Sequence, residues 1–120
     1  MTTHNERYVL EAGQALAKAG SERLAAEYYV AVTKVHPKLV AAYSCALELY
    51  LALDDLACAE EVLQEVIRVF GEHPKTLTRL AKVYAKMERP LDAIYTVRKA
   101  LAIDPELPEA LELEQQLCNS

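Results

Sequence analysis

A self-match at a spacing of 34 residues runs three times, without a gap, through nearly the whole chain. Aligning windows 6–39, 40–73 and 74–107 puts Ala25, Ala59 and Ala93 at position 20, and Tyr29, Leu63 and Val97 at position 24. Val32, Val66 and Ala100 share position 27, Leu16, Tyr50 and Tyr84 position 11, and Val9, Tyr43 and Leu77 position 4. A repeat of this length holds one supersecondary unit that cannot bury its apolar face alone. Tandem copies must therefore stack, and the end units need polar covers.

Each window reads as two helices. Apolar residues recur at three- and four-residue steps, as in Val62, Val66, Val69 and Phe70, or Leu77, Leu80, Ala81 and Tyr84. The pattern predicts first helices over 6–19, 38–52 and 74–87 and second helices over 22–35, 55–70 and 90–103. Gly20 can take the left-handed conformation that ends a helix, with Ser21 capping the next. Asp54 and Asp55 serve the second turn, and Pro90 suits the first position of the last paired helix. Pro37, Pro74 and Pro105 mark junctions between repeats, where a missing N–H costs least. Gly13, Ala25, Ala59, Ala81 and Ala93 let the helices of a pair approach closely, so that the bulky residue at position 24 fills the space beside them.

The period, the small residues at positions 8 and 20, the apolar residues at 4, 11 and 24 and the proline at 32 together resemble the tetratricopeptide repeat. The third window carries the resemblance in Leu77, Leu80, Ala81, Tyr84, Ala93, Val97, Ala100 and Pro105, and the first in Ala12, Gly13, Ala25, Tyr29 and Pro37. The second departs from it, with Leu47 where a small residue is usual and Gly71 in place of the proline, which is expected to loosen packing locally. The resemblance implies an all-α fold: a right-handed α-solenoid of three helix-turn-helix repeats in a single domain over 1–120. The segment 108–118 is expected to form a C-terminal capping helix, with Leu111 and Leu117 inward and Glu112, Glu114 and Gln116 outward. No equivalent cover precedes the first helix, so Val9 and Leu16 suggest weak self-association or partner docking at that end.

Composition narrows the function. The net charge of −5 is uneven: +1 over 6–39, −6 over 40–73, +3 over 74–107 and −3 beyond. An acidic middle and tail argue against a general nucleic-acid binder. No apolar run reaches membrane-span length, and the first residues lack a secretory signal, so a cytoplasmic location is expected. Cys45, Cys58 and Cys118 form neither an even set nor a close pair, which fits neither a disulfide framework nor a zinc site. His4, His36 and His73 have no His or Cys one turn away, and the three glycines are too scattered for a phosphate cradle. Neither an enzyme nor a cofactor is expected.

In the tetratricopeptide family the first helices line a concave surface, chiefly through positions 2, 5, 6, 9, 12 and 13. Carried over, the resemblance implies Arg7, Leu10, Glu11, Gln14, Ala17 and Lys18 in the first repeat. It implies Ala41, Ser44, Cys45, Glu48, Leu51 and Ala52 in the second, and Lys75, Thr78, Arg79, Lys82, Ala85 and Lys86 in the third. Lys75, Arg79, Lys82 and Lys86 follow i, i+4, i+7 and i+11, so they share one helix face, and no acid occurs from Pro74 to Met87. Like charges one turn apart are mildly destabilising, so the stripe either awaits an anionic partner, is solvated, or pairs with the acidic second repeat.

Lys75 and Arg79 also match two positions of the clamp by which related co-chaperones hold the C-terminal carboxylate of heat-shock chaperones. Leu10, Gln14 and Cys45 depart from its other three. The leading expectation is therefore a non-catalytic adaptor that binds an acidic or carboxylate-bearing peptide, or a partner helix, without nucleic acid or membrane. The alternatives are a small bacterial chaperone of the type III secretion kind and a structural subunit of a larger assembly.

Overall fold

The computed structural model describes residues 4–119, with side chains described from Glu6 onward. Seven helices follow one another: α1 (His4–Lys18), α2 (Glu22–Val35), α3 (Val40–Ala52), α4 (Leu56–Phe70), α5 (Pro74–Lys86), α6 (Pro90–Ile103) and α7 (Pro108–Cys118). The described residues contain no strand, and every helix end lies within two residues of its expected place. α3 starts later than expected, because the Leu39 N–H closes a turn onto the His36 carbonyl at 3.0 Å and holds Pro37 and Lys38 outside the helix. The chain packs as two units, Met1–Val62 and Leu63–Ser120, whose boundary falls inside α4.

The turn inside each repeat uses one backbone device. Gly20, Asp54 and Glu88 occupy the same repeat position and have φ of 87°, 57° and 59°. The next residue's N–H then reaches back five residues: Ser21 to Leu16 and Asp55 to Tyr50 at 3.0 and 2.9 Å, Arg89 to Tyr84 at 2.9 Å. These bonds satisfy carbonyls that a helix end otherwise leaves open. Glycine adopts this conformation freely, whereas Asp54 and Glu88 each pay for it with about 1–2 kcal/mol. Ser21 makes no side-chain cap, contrary to expectation, since the turn employs its backbone N–H instead. Asp55 does cap: its Oδ1 accepts from the Cys58 N–H at 3.2 Å, and its Oδ2 accepts from Arg23 of α2 at 2.9 Å. The Arg23 guanidinium and the Cys58 N–H hold the Asp55 carboxyl below the usual carboxylate range.

In the first unit α2 packs against both α1 and α3. Gly13 on α1 is buried because Tyr29 lies against it: a β-carbon there would sit 2.7 Å from the ring's Cε1 and 2.7 Å from its hydroxyl. Tyr29 is 2% exposed, and its hydroxyl donates to the Leu10 carbonyl at 3.0 Å. Tyr28 donates in the same way to Val9 at 2.8 Å. Val9 and Leu16 are half-buried, so the exposed apolar side chains at this end are Tyr8 and Leu24 instead. Leu47 is taken into the core without opening it to solvent.

In the second unit α5 packs on α6, and α7 packs on both. Leu77, Ala81, Val97, Ala100, Leu107, Ala110 and Leu113 form one buried cluster, with Ile67, Leu101 and Leu117 against it. α7 thus turns Ala110, Leu113 and Leu117 inward at i, i+3 and i+7, and Leu111, one residue out of that phase, is exposed. The expectation for Leu117 holds and that for Leu111 does not. Glu114 reaches Arg98 of α6 at 3.1 Å.

Two substitutions test this packing by thermal or denaturant unfolding. Gly13→Ala gains about 1 kcal/mol of helix propensity, but the clash with the enclosed Tyr29 ring should outweigh it. We expect a net loss of about 1–3 kcal/mol, and equal or higher stability would show that Tyr29 can move away. Glu88→Gly removes a left-handed non-glycine residue whose side chain makes no hydrogen bond or ion pair among the described residues, and keeps its backbone N–H bond to the Ala85 carbonyl. It should raise stability by about 0.5–1 kcal/mol after glycine's extra unfolded-state freedom is counted.

Candidate functional site

The most distinctive candidate surface is the outer face of α5. Leu77, Leu80, Ala81 and Tyr84 turn inward, which leaves Lys75, Arg79, Lys82 and Lys86 exposed together on the opposite side. Pro74 opens the helix, and the Thr78 hydroxyl donates back to its carbonyl at 2.7 Å, so Thr78 is buried and is not a surface contact.

Electrostatics set this face apart from the rest of its unit. Arg68 pairs with Glu65, Arg89 with Asp92 at 2.9 Å, Arg98 with Glu114 and Lys99 with Glu72. Arg89 also stacks over the Tyr84 ring, 4.6 Å from its centroid. Those four are all the cations of the unit outside α5. By contrast, Lys75, Arg79, Lys82 and Lys86 make no ion pair or hydrogen bond among the described residues. The C-terminal half of the stripe opens onto a cleft of about 360 Å³ between α5 and α7, lined by Lys82, Lys86, Glu109, Glu112, Gln116, Ala85 and Leu113.

The candidate residues of the first unit are differently placed. Arg7, Gln14 and Lys18 are exposed on α1, and Glu48 and Leu51 on α3. Leu10, Ser44 and Cys45 are half-buried. Tyr29, which sequence reasoning treated only as packing, links two of them: its hydroxyl donates to the Leu10 carbonyl and interacts electrostatically with the Cys45 thiol. Burial, then the Cys45 thiol, pushes the Tyr29 phenol up to about 12. Burial also raises the Cys45 and Cys58 thiols, so neither is an activated thiolate near neutral pH. Among the described residues no group of three His, Cys, Asp or Glu side chains is placed to hold a metal. None of the described helices is long and apolar enough to cross a membrane.

A second surface escaped the sequence reading. Leu91 and Tyr95 of α6 are 82% and 68% exposed, and with Ile94, Arg98, Lys99 and Ala102 they line a shallow depression of about 420 Å³. The signal was present in the alignment. Repeats one and two hold Arg23 and Ala57 where the third has Leu91, and Glu27 and Glu61 where it has Tyr95.

Paired helices with a small-residue position and a left-handed turn, repeated along the chain, define a helical-repeat protein. No protein-family model matches the sequence. The chain is 33% identical over 114 residues to tetratricopeptide repeat protein 21B of Mus musculus, covering 86% of this chain and 8% of that protein. It therefore spans only about 8% of the length of the curated relatives it matches. Among solved structures, the Arabidopsis OM64 TPR domain superposes with a TM-score of 0.72 at 20% identity, covering 98% of this chain and 97% of that one. The first TPR of Spaghetti (RPAP3), bound to the HSP90 peptide SRMEEVD, superposes with a TM-score of 0.73 at 17% identity, covering 93% and 89%. The chain belongs to the tetratricopeptide-repeat family, and its fold is that family's all-α solenoid.

The Tyr29 contact has a pH signature. A phenol whose folded pKa lies above its unfolded value, about 10, contributes stability that is present below pH 10 and lost as pH rises through the folded value of about 12. Burial raises the Tyr50 phenol as well, so we expect alkaline difference absorbance to show a late-ionising tyrosine fraction, and Tyr29→Phe to remove part of it. A Tyr29→Phe titration that overlays the parent would place the phenol in an ordinary environment.

Proposed function

We propose that the chain is a protein–protein interaction adaptor whose α5 face docks an acidic segment of a partner, either Asp and Glu side chains or a free C-terminal carboxylate. One observation carries this reading. In a unit where every other Lys and Arg is paired, four cations on a single exposed helix face have no partner among the described residues. An anion from outside would relieve their mutual repulsion and supply the missing acceptors.

The Spaghetti structure supports the class of ligand, since its bound peptide, SRMEEVD, is rich in carboxylates. Lys75 and Arg79 stand at two positions that the family's carboxylate clamps employ. Leu10, Gln14 and Cys45 differ from those clamps, and Leu10 and Cys45 are half-buried, so the docking proposed here centres on α5. Arg79 is the principal anchor because its planar guanidinium can grip a carboxylate with two N–H groups, whereas the lysines act as point charges.

A fluorescent acidic peptide ending in a free carboxylate, titrated against the parent, Arg79→Ala and Lys99→Ala, tests the reading. Lys99 is a fair control because it lies on α6 and is already paired with Glu72. Arg79→Ala should weaken binding by about 1.5–3 kcal/mol where the partner excludes water from the contact, and by less where it does not. Lys99→Ala should bind like the parent, and added salt should weaken parent binding. Equal affinities for all three proteins would reduce the stripe to a solvated face.

A further inference from the structure

We propose that the cap helix α7 limits the length of acidic segment that α5 can hold, so that the chain selects a short carboxylate-bearing end over a long acidic tract. This inference rests on the reading of α5 as an anion-docking face and specifies its ligand.

The stripe is not uniform along the helix. Lys75 and Arg79 lie one turn apart at its N-terminal end, outside the cleft that α5 forms with α7. Lys82 and Lys86 lie one turn apart at its C-terminal end and line that cleft, where Glu109 and Glu112 of α7 stand opposite them above Leu113. No ion pair closes across the cleft, yet its two cations and two carboxylates leave it without net charge. At Lys75 and Arg79, outside the cleft, an incoming carboxylate does not face Glu109 and Glu112. At Lys82 and Lys86 it also meets the repulsion of α7, which offsets much of the gain.

Length gives this division a consequence. From Lys75 to Lys86 the helix rises about 16 Å, a span that an extended peptide covers with about five residues. A ligand with two acidic residues engages only the open pair of cations. One with six must lay its remaining carboxylates against Glu109 and Glu112, and should gain little from them.

The test uses two N-acetylated peptides with free C-termini, one ending in two glutamates and one in six. Each is titrated at low ionic strength against the parent, Glu109→Gln/Glu112→Gln, Glu112→Gln alone and Arg79→Ala, with a thermal melt of every variant. The parent should bind the two peptides within about twofold of one another. The double variant should bind the six-glutamate peptide about three- to tenfold tighter than the parent does, with little change for the shorter one, and high salt should erase the gain. Glu112→Gln alone should move the same way by a smaller factor, which covers the case in which the double variant folds poorly. A parent that already binds the long peptide tenfold tighter, or variants that gain equally on both peptides, would overturn the inference. Weakening of the short peptide by Arg79→Ala keeps the docking face standing whatever the α7 variants do; if Arg79→Ala has no effect on it, both readings fall.

Discussion

The structure depends first on the close approach of the two helices within a repeat, α1 to α2 and α5 to α6. Ala25, Ala59 and Ala93 are fully buried, and Tyr29, Leu63 and Val97, four residues further on, are among the most enclosed side chains in the molecule. A small residue at one position and a bulky one a turn later let two helical backbones come near without a void, and a void would forfeit dispersion contacts outright. Gly13 shows the limit of this arrangement, because the Tyr29 ring occupies the space that any side chain there would need. The left-handed residue at Gly20, Asp54 or Glu88 then turns the chain so that the second helix can return along the first. At Asp54 and Glu88, residue types that do not favour that conformation, the turn is closed by the backbone bonds from Asp55 to Tyr50 and from Arg89 to Tyr84.

That helix contact also decides what α5 shows to solvent. With Leu77, Leu80, Ala81 and Tyr84 committed to the interior, the helical period leaves Lys75, Arg79, Lys82 and Lys86 as the outer stripe. Repulsion along the stripe is a small cost in water, and the hydrophobic cluster behind it offsets that cost many times over. A protein can keep such a stripe without acidic neighbours on the same helix, and its charge is then available for recognition. The α6 face carries the opposite character: Arg98 and Lys99 are tied to Glu114 and Glu72, while Leu91 and Tyr95 stand exposed. One unit thus presents a charged surface and an apolar surface on two of its helices.

Much of this was legible in the residues alone. The 34-residue period, the small and bulky positions and the prolines set helix ends to within two residues of those observed, because helix periodicity and helix termination are local properties of a chain. The α5 stripe was legible for the same reason, being four residues on one face of one helix. Pairing was not. Arg23 meets Asp55 across 32 residues and Lys99 meets Glu72 across 27, and no local pattern distinguishes those cations from Lys75 or Arg79. The rotation of α7 was also beyond local reading, since Leu111 and Leu113 are equally apolar and only the surface offered by α5 and α6 selects Leu113. Likewise Tyr29 joins Leu10 to Cys45 only because three helices meet at its hydroxyl. Sequence by itself determined which segments are helical and which faces are apolar, through spacing that each helix carries within itself. Tertiary structure decided which charges are neutralised, which are left free and where α7 sets its acids, because those outcomes depend on distances between residues that are remote in the chain.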